Sequence, residues 1–288
     1  MVSQILRCTV IGNPIDHSLS PYIQRLFSQS TGIDVDYGRT LAPSDGFTEC
    51  VMGLAQAGML GANVTRPFKF EALQLATHAT SRAQLAGAAN TMRFDVTPQT
   101  DGGEKIWWAD NTDGVGLVRD ITLNAGVALD GMNVLLIGAG GAAYGVLSVL
   151  LQAKPKLLMV VNRTAERAIE LARLHAGIAA QNNVEILAGG LDACAQAFDV
   201  VINSSASSQD GYAAPVAASV LKPGALALDM SYGQASHPFL EWAKEHGAYG
   251  RDGLGMLVEQ GAESFYFWHN VLPDGAAVLA HARQELEL

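Results

Sequence analysis

The sequence predicts an α/β protein built as two domains. Its 288 residues are more than one compact core comfortably serves. Strand-like and helix-like segments alternate along almost the whole chain, the pattern of a layered α/β architecture. Near residue 133 an apolar run leads straight into a glycine-rich turn and a helix, the opening unit of a doubly wound parallel sheet.

Taken in order, a first apolar run ends at residues 9–12. Ser20 followed by Pro21 then opens a helix to about residue 30, a capping hydroxyl before a proline at the first helical position. Residues 37–41 read as strand, 45–57 as helix, 61–64 as strand and 69–76 as helix. Residues 91–94 and 106–108 read as strands paired around the turn-rich 98–103, and residues 111–113 cap a helix to about 124. After the strand at 133–137 come the glycine turn, a helix to about 153, a strand at 157–161 and a helix at 163–175. Further strands follow at 184–187, 199–203 and 225–229. Strands spaced by helices in this way predict parallel pairing. The tail is helical at 256–267 and 276–287. The second sheet is expected to begin near residues 126–131, with the helix at Asn111 bridging the two domains.

Composition excludes several function classes. With 49% hydrophobic and 16% charged residues the chain folds rather than staying disordered. Its formal net charge of -10, with no basic cluster, speaks against nucleic acid or an anionic membrane as partner. Any anionic ligand must be caught by helix N-termini and a few placed cations. Cys8, Cys50 and Cys194 lie far apart with no metal-ligand spacing, as suits buried thiols in a reducing cytoplasm. The short apolar stretch around Arg7 is too brief for a secretory signal. From Val134 to Leu151 no charge occurs, but Gly138, Gly140, Gly141 and Gly145 make that segment a strand, turn and helix rather than a membrane span. The seven histidines show no HxxxH or HxH pattern, so no metal is expected.

Residues 138–143 (GAGGAA) match the GxGxxG/A dinucleotide fingerprint in its proper strand–turn–helix setting. Gly138, Gly140 and Gly141 permit a tight turn and close backbone approach to a pyrophosphate. The amides around Ala142, at the helix N-terminus, then face that anion. Where an NAD-binding unit carries an acid after its second strand, this chain has Asn162, Arg163 and Thr164, with Arg167 one turn on. Two guanidinium groups without a carboxylate suit a 2′-phosphate, so NADP is the expected cofactor.

Other candidates have plain structural readings beside the functional one. Ser18 and Ser20 stand at a helix N-terminus and form a possible carboxylate clamp, although Ser20 alone reads as a cap. Lys69 alone reads as a surface lysine, and the acids of residues 110–113 (DNTD) as caps.

Longer motifs decide between these readings. Residues 12–21 (GNPIDHSLSP), 61–69 (GANVTRPFK), 87–91 (GAANT), 110–114 (DNTDG), 162–164 (NRT) and 252–260 (DGLGMLVEQ) resemble, collinearly, the signatures of the shikimate dehydrogenase family. The resemblance implies a substrate domain of residues 1–109 plus 255–288, to which C-terminal helices return, and a Rossmann-type NADP-binding domain of 110–254. It implies a cleft between the domains where Ser18 and Ser20, with Tyr232 nearby, hold the carboxylate of a small-molecule substrate. Asn63, Thr65, Asn90, Asp110 and Gln260 would bind ring hydroxyls, and Lys69 with Asp110 would form the catalytic pair. Met230 and Gly253 join the cofactor-binding set. The implied reaction is reversible NADP-dependent reduction of 3-dehydroshikimate to shikimate, on the route to aromatic amino acids, by a monomer or homodimer.

Some positions depart from the family. Arg66 replaces an apolar residue and Phe70 an acid beside Lys69. Residues 204–206 (SSA) replace Ala-Thr-Ser, and Ala89 and Ser231 replace bulkier aliphatics. These changes bear on rate and substrate shape. The alternatives are a dehydrogenase for quinate or an aminated shikimate analogue, and an NADP-binding regulatory relative without catalysis. The serine pair favours shikimate over quinate, and retention of Lys69 with its acid favours an enzyme.

Overall fold

The computed structural model describes residues 5–94, 106–208 and 210–286. The turn expected at 98–103 lies outside these residues. The chain divides into two compact units, Met1–Gly116 with Val258–Leu288, and Leu117–Leu257.

In the first unit β1 (Leu6–Gly12), α1 (Ser20–Thr31), β2 (Val35–Leu41), α2 (Phe47–Gln56) and β3 (Gly61–Val64) alternate as expected. They are followed by α3 (Lys69–Leu75), β4 (His78–Ala79), α4 (Ser81–Ala86), β5 (Thr91–Phe94) and β6 (Trp107–Asp110). The sheet order is β2-β1-β3-β5-β6-β4, with β1 parallel to both β2 and β3 and the β3–β5–β6 run antiparallel. Ile11, Val64, Met92 and Trp107 from the strands pack with Phe47 and Phe68 from the helical side. The last two rings stack at 4.9 Å. Burying such rings is the main drive that closes this layer.

Helix α5 (Asp113–Arg119) begins in the first unit, continues into the second and widens there into a π turn at Asp120–Asn124. Then come β7 (Asn133–Ile137), α6 (Gly141–Gln152), β8 (Leu157–Val161), α7 (Ala165–Gln181), β9 (Glu185–Gly189), β10 (Phe198–Asn203), β11 (Leu221–Asp229), α8 (His237–Glu245) and β12 (Tyr249–Arg251). The order β12-β11-β10-β7-β8-β9 is parallel throughout. It is the doubly wound arrangement, reversing direction between β7 and β10. Period two along the strands sorts the two faces. Val134, Leu136, Leu158, Val160 and Ile202 meet Val146, Leu150 and Leu171 of α6 and α7. Leu135, Ile137, Met159, Val161 and Val201 meet Phe239 and Ala243 of α8. Both faces are covered, as a parallel sheet requires.

The chain finishes with α9 (Leu254–His269) and α10 (Gly275–Leu286). The units divide at 116/117 and 257/258, inside α5 and α9, rather than at 109/110 and 254/255. A crossing inside a regular helix carries no loop composition to mark it. Arg251 donates to Asp120 from Nε at 2.8 Å and Nη2 at 2.5 Å, and the Asp120 side chain is fully buried. A Cβ at Gly255 would overlap that carboxylate. Among the described residues no helix is long and apolar enough to cross a membrane, and no three His, Cys, Asp or Glu side chains gather as metal ligands. Cys8 is buried, which pushes its thiol up to about 12, while Cys50 and Cys194 are half-buried.

Candidate active site

Lys69 is the first residue of α3, and Asp113 the first of α5. Their side chains form an ion pair of 2.5 Å, with only 17% and 8% of their side-chain surface exposed. Asn90 donates from Nδ2 to the other carboxylate oxygen at 2.8 Å, to Thr112 Oγ1 at 2.9 Å and to Gln260 Oε1 at 3.2 Å. The Lys69 carbonyl accepts from the Ala89 amide at 2.8 Å, so the 87–91 turn holds both partners of the pair. Lysine, aspartate, asparagine and glutamine thus meet in one cluster drawn from four chain segments.

The carboxylate partner of Lys69 is Asp113, not Asp110 as the family resemblance implies. Asp110 ends β6 with no exposed surface, and its oxygens are taken elsewhere. Arg82 grips it through Nε at 2.7 Å and through Nη2, Thr80 donates at 2.6 Å, and the Asn111 amide at 2.7 Å. Arg82 also donates to Glu263 at 2.8 Å. Burial pulls the Arg82 pKa down, but its hydrogen bonds and charge contacts with Asp110 and Glu263 outweigh that and raise it. The structure therefore makes Asp110 an anchor for the turn that carries Asp113. Asn111 donates to the Ala88 carbonyl at 2.9 Å and accepts from the Asp113 amide at 3.2 Å, which fixes that turn.

The remaining sequence candidates fall as follows. Asn63, on β3, is 5% exposed and donates to Thr91 Oγ1 and Ser264 Oγ. Thr65 follows β3, and its amide donates to the Ile11 carbonyl at 2.9 Å. Ser18 and Ser20 contact each other at 3.2 Å. Ser20 is the first helical residue of α1 and does not cap it, since the cap position is Leu19 with no side-chain bond. Two residues absent from the sequence reading hold this face: β2 presents Tyr37, which donates to Asn63 Oδ1 at 2.7 Å, and Arg39, whose Nη2 donates to the Ser18 carbonyl at 2.6 Å. Their two-residue spacing on a strand was the available signal. Arg66 is exposed and Phe70 is 45% exposed, both beside Lys69 in sequence.

The second unit holds the other candidates. Gly138 follows β7 with φ +109, and a Cβ there would lie 2.6 Å from Ser204 Oγ. Only glycine serves at such a φ. Ser204 donates to the Ile137 carbonyl at 2.8 Å, so the first residue of the SSA departure packs directly on the glycine turn. Gly140 precedes α6 with open space where a Cβ would point, and Gly141 and Ala142 begin the helix with no side-chain cap. Asn162 accepts from the Ala139 amide at 3.2 Å and donates to the Thr164 carbonyl at 2.9 Å, tying the end of β8 to the turn. Arg163, Thr164 and Arg167 stand around the start of α7, both arginines exposed, with no carboxylate at 162–164. The Met230 amide donates to the Asn203 carbonyl at 2.9 Å, and a Cβ at Gly253 would strike the Met230 backbone. Beside them Asp229 accepts from Asn203 at 2.9 Å, from the Ser231 amide at 2.7 Å and from Ser208. Burial raises the Asp229 pKa even so. Tyr232 follows this segment, in the unit of residues 117–257.

A glycine turn with uncapped helical amides at the switch point of a parallel sheet fits a dinucleotide. With a lysine–aspartate pair set among carboxamides, it defines the class of nicotinamide-dependent oxidoreductases. Residues 10–92 match the shikimate dehydrogenase substrate binding domain, 121–229 the shikimate / quinate 5-dehydrogenase domain and 253–283 the shikimate 5′-dehydrogenase C-terminal domain. The chain is 53% identical to the shikimate dehydrogenase (NADP(+)) of Methylibium petroleiphilum, over 98% of this chain and 95% of that one. It belongs to the shikimate dehydrogenase family. The enzyme of the same name from Acidovorax sp. strain JS42 is 54% identical, over 95% of this chain and 94% of that one. Among solved structures, an Ael1 enzyme from Pseudomonas putida superposes with a TM-score of 0.85 at 40% identity, covering 96% and 97% of the two chains. The shikimate 5-dehydrogenase of Thermus thermophilus, solved with NADP(H) and shikimate, gives 0.81 at 28% identity, covering 97% and 99%.

Proposed function

We propose that this chain catalyses the reversible NADP-dependent reduction of 3-dehydroshikimate to shikimate in the cytoplasm, as a monomer or homodimer. The observation that carries the reading is the Lys69–Asp113 ion pair, braced by Asn90 and surrounded by hydroxyl and carboxamide groups. NADPH, when bound, supplies a hydride to the ring carbonyl. Negative charge then grows on the carbonyl oxygen, where the Lys69 ammonium stabilises it and donates a proton. Asp113 keeps that ammonium aimed, and Asn90 keeps Asp113 from turning away. Asn63, Thr65, Asn90 and Gln260 bind the ring hydroxyls, and Ser18, Ser20 and Tyr232 the carboxylate.

The residues present fit NADP. The φ of Gly138, the open space at Gly140 and the uncapped start of α6 leave backbone amides for a pyrophosphate. Arg163 and Arg167 hold the 2′-phosphate, while Asn162 and Thr164 shape that corner, and Met230 and Gly253 line the nicotinamide side. Shikimate is preferred over quinate, whose additional hydroxyl beside the carboxylate meets the paired serines. The test is NADP reduction followed by absorbance with shikimate and quinate side by side. Efficient turnover of shikimate with at least about tenfold lower efficiency on quinate is expected, as for one buried hydroxyl left without a partner. No turnover of shikimate, or equal efficiency on quinate, overturns the reading.

A further inference from the structure

The polar cluster of the first unit has a centre that the proposed roles do not use. Ser264 lies on α9 with no exposed surface, next to the buried Phe265 and one turn before the buried Trp268. Its place follows from how α9 docks on β3. A Cβ at Gly61 would overlap the Met92 carbonyl and the Trp268 indole, and Trp268 Nε1 donates to that same carbonyl at 2.9 Å. Gly61 and Asn63 share a face of β3, being two residues apart. Ser264 and Trp268 share a face of α9, being four apart. The bare backbone at Gly61 therefore lets Trp268 seat, and one rung along, Ser264 meets Asn63.

The Asn90 carbonyl, which can only accept, fixes which end of the Asn63 amide faces that rung. Ser264 donates to the Gln260 carbonyl at 3.0 Å, one helical turn back. Its oxygen accepts from Asn63 Nδ2 at 2.9 Å, with the Thr91 and Thr112 hydroxyls at 2.8 and 3.2 Å, contacts in which either oxygen can donate. Asn63 Nδ2 also faces the Asn90 carbonyl at 3.2 Å and Thr91 Oγ1 at 3.0 Å. On the opposite side Tyr37 donates to Asn63 Oδ1 at 2.7 Å. Turning the amide over would set its oxygen against the Asn90 carbonyl. The two hydrogens of Nδ2 are committed within the protein, which leaves the second lone pair of Oδ1 for a ligand hydroxyl.

We propose that Ser264 and Tyr37 are positioning residues that lock the Asn63 amide in one orientation, so that Asn63 meets the substrate as an acceptor of a hydroxyl proton. The inference rests on the proposed shikimate reaction and deepens it by giving one hydroxyl contact a direction. The lock acts on binding rather than on the hydride or proton steps, so its loss reads as KM rather than kcat. The experiment is steady-state kinetics of the full-length enzyme with shikimate and NADP for wild type, Ser264→Ala, Tyr37→Phe, Asn63→Ala and the double variant Asn63→Ala/Ser264→Ala. Each lock variant is expected to raise KM for shikimate up to about tenfold, as for one neutral hydrogen bond. In each, kcat should stay within about threefold and KM for NADP should not change. In the Asn63→Ala background the Ser264 effect should shrink to within about twofold. Lowered melting temperatures with unchanged KM for shikimate would reduce both residues to a structural role and overturn the lock. So would single effects that multiply in the double variant. Tyr37→Phe decides the matter if Ser264→Ala folds poorly. An inactive wild-type enzyme overturns the functional reading together with this inference, and is told apart by its failure before any substitution.

Discussion

The two units hold their candidate sites by opposite means. In the first, side chains do the work: Asn63, Asn90, Thr91, Thr112 and Ser264 are buried and bond to one another, and few of their donors and acceptors point nowhere. In the second, the glycine turn offers main-chain amides and open space, and the cations that would select the cofactor stand exposed. A hydroxylated ring has to be told from its near isomers, which needs fixed donors and acceptors. A pyrophosphate needs only amides and positive charge in the right place. Under the proposed function, rigid side-chain order serves substrate choice and backbone geometry the cofactor.

The contrast breaks most visibly at the lysine pair. Replacing Asp113 with Asn, or Lys69 with Ala, should cut kcat by about 10²–10⁴-fold while NADP affinity, measured by titration, stays the same. Asp110→Asn should behave differently, because that carboxylate is an anchor. Breaking a buried ion pair costs about 3–5 kcal/mol, so the loss should appear in denaturant unfolding before it appears in turnover. A kcat collapse in Asp110→Asn with unaltered stability would return the catalytic role to that residue.

The second unit is probed through its exposed charge. Arg163→Ala should raise KM for NADP by about 10–100-fold, the range for a bond to a charged group, towards the lower end because water screens it. KM for NAD and for shikimate should not move, since the fully ordered network lies in the other unit. Matching losses with NAD and NADP would show that Arg163 does not read the 2′-phosphate.

The smallest effect concerns stability in acid. His269, at the end of α9, packs against Phe265 at 4.4 Å between ring centroids, and burial pulls its pKa from 6.5 down to about 4. The unfolded chain thus takes the proton first. Its contribution is fully present above pH 6.5 and is lost as pH falls towards 4. His269→Phe should flatten the melting temperature over that window and leave it unchanged at pH 8.

How much of this was legible in the sequence depends on where the partners lie. The glycine turn was readable because strand, turn and helix are contiguous, and Arg163 with Arg167 follow at a fixed offset. The alternation of β1 to β3 with α1 and α2 was readable for the same reason. The choice between Asp110 and Asp113 was not, because Arg82 claims the first acid from 28 positions away and only the fold brings it there. Ser264 was hidden because its partner Asn63 lies 201 positions away and only the fold brings them together. Helix α8 and strand β12 carry weak patterns; burial of Phe239 and Ala243 decides the helix, and backbone pairing with β11 decides the strand.

The overlap that a Cβ at Gly255 would make with the Asp120 carboxylate reaches beyond this one molecule. Positions 120, 251 and 255 are coupled, sterically through the missing Cβ and electrostatically through the Arg251–Asp120 pair. While an acid at 120 answers the arginine at 251, drift at 255 is closed, and a Gly255→Ala change arising first meets a buried carboxylate it cannot displace. A lineage that first loses both charges opens position 255 to alanine, whose higher helix propensity then favours keeping it. A space too small for one methyl group thereby sets the order in which these three positions can be changed without a clash.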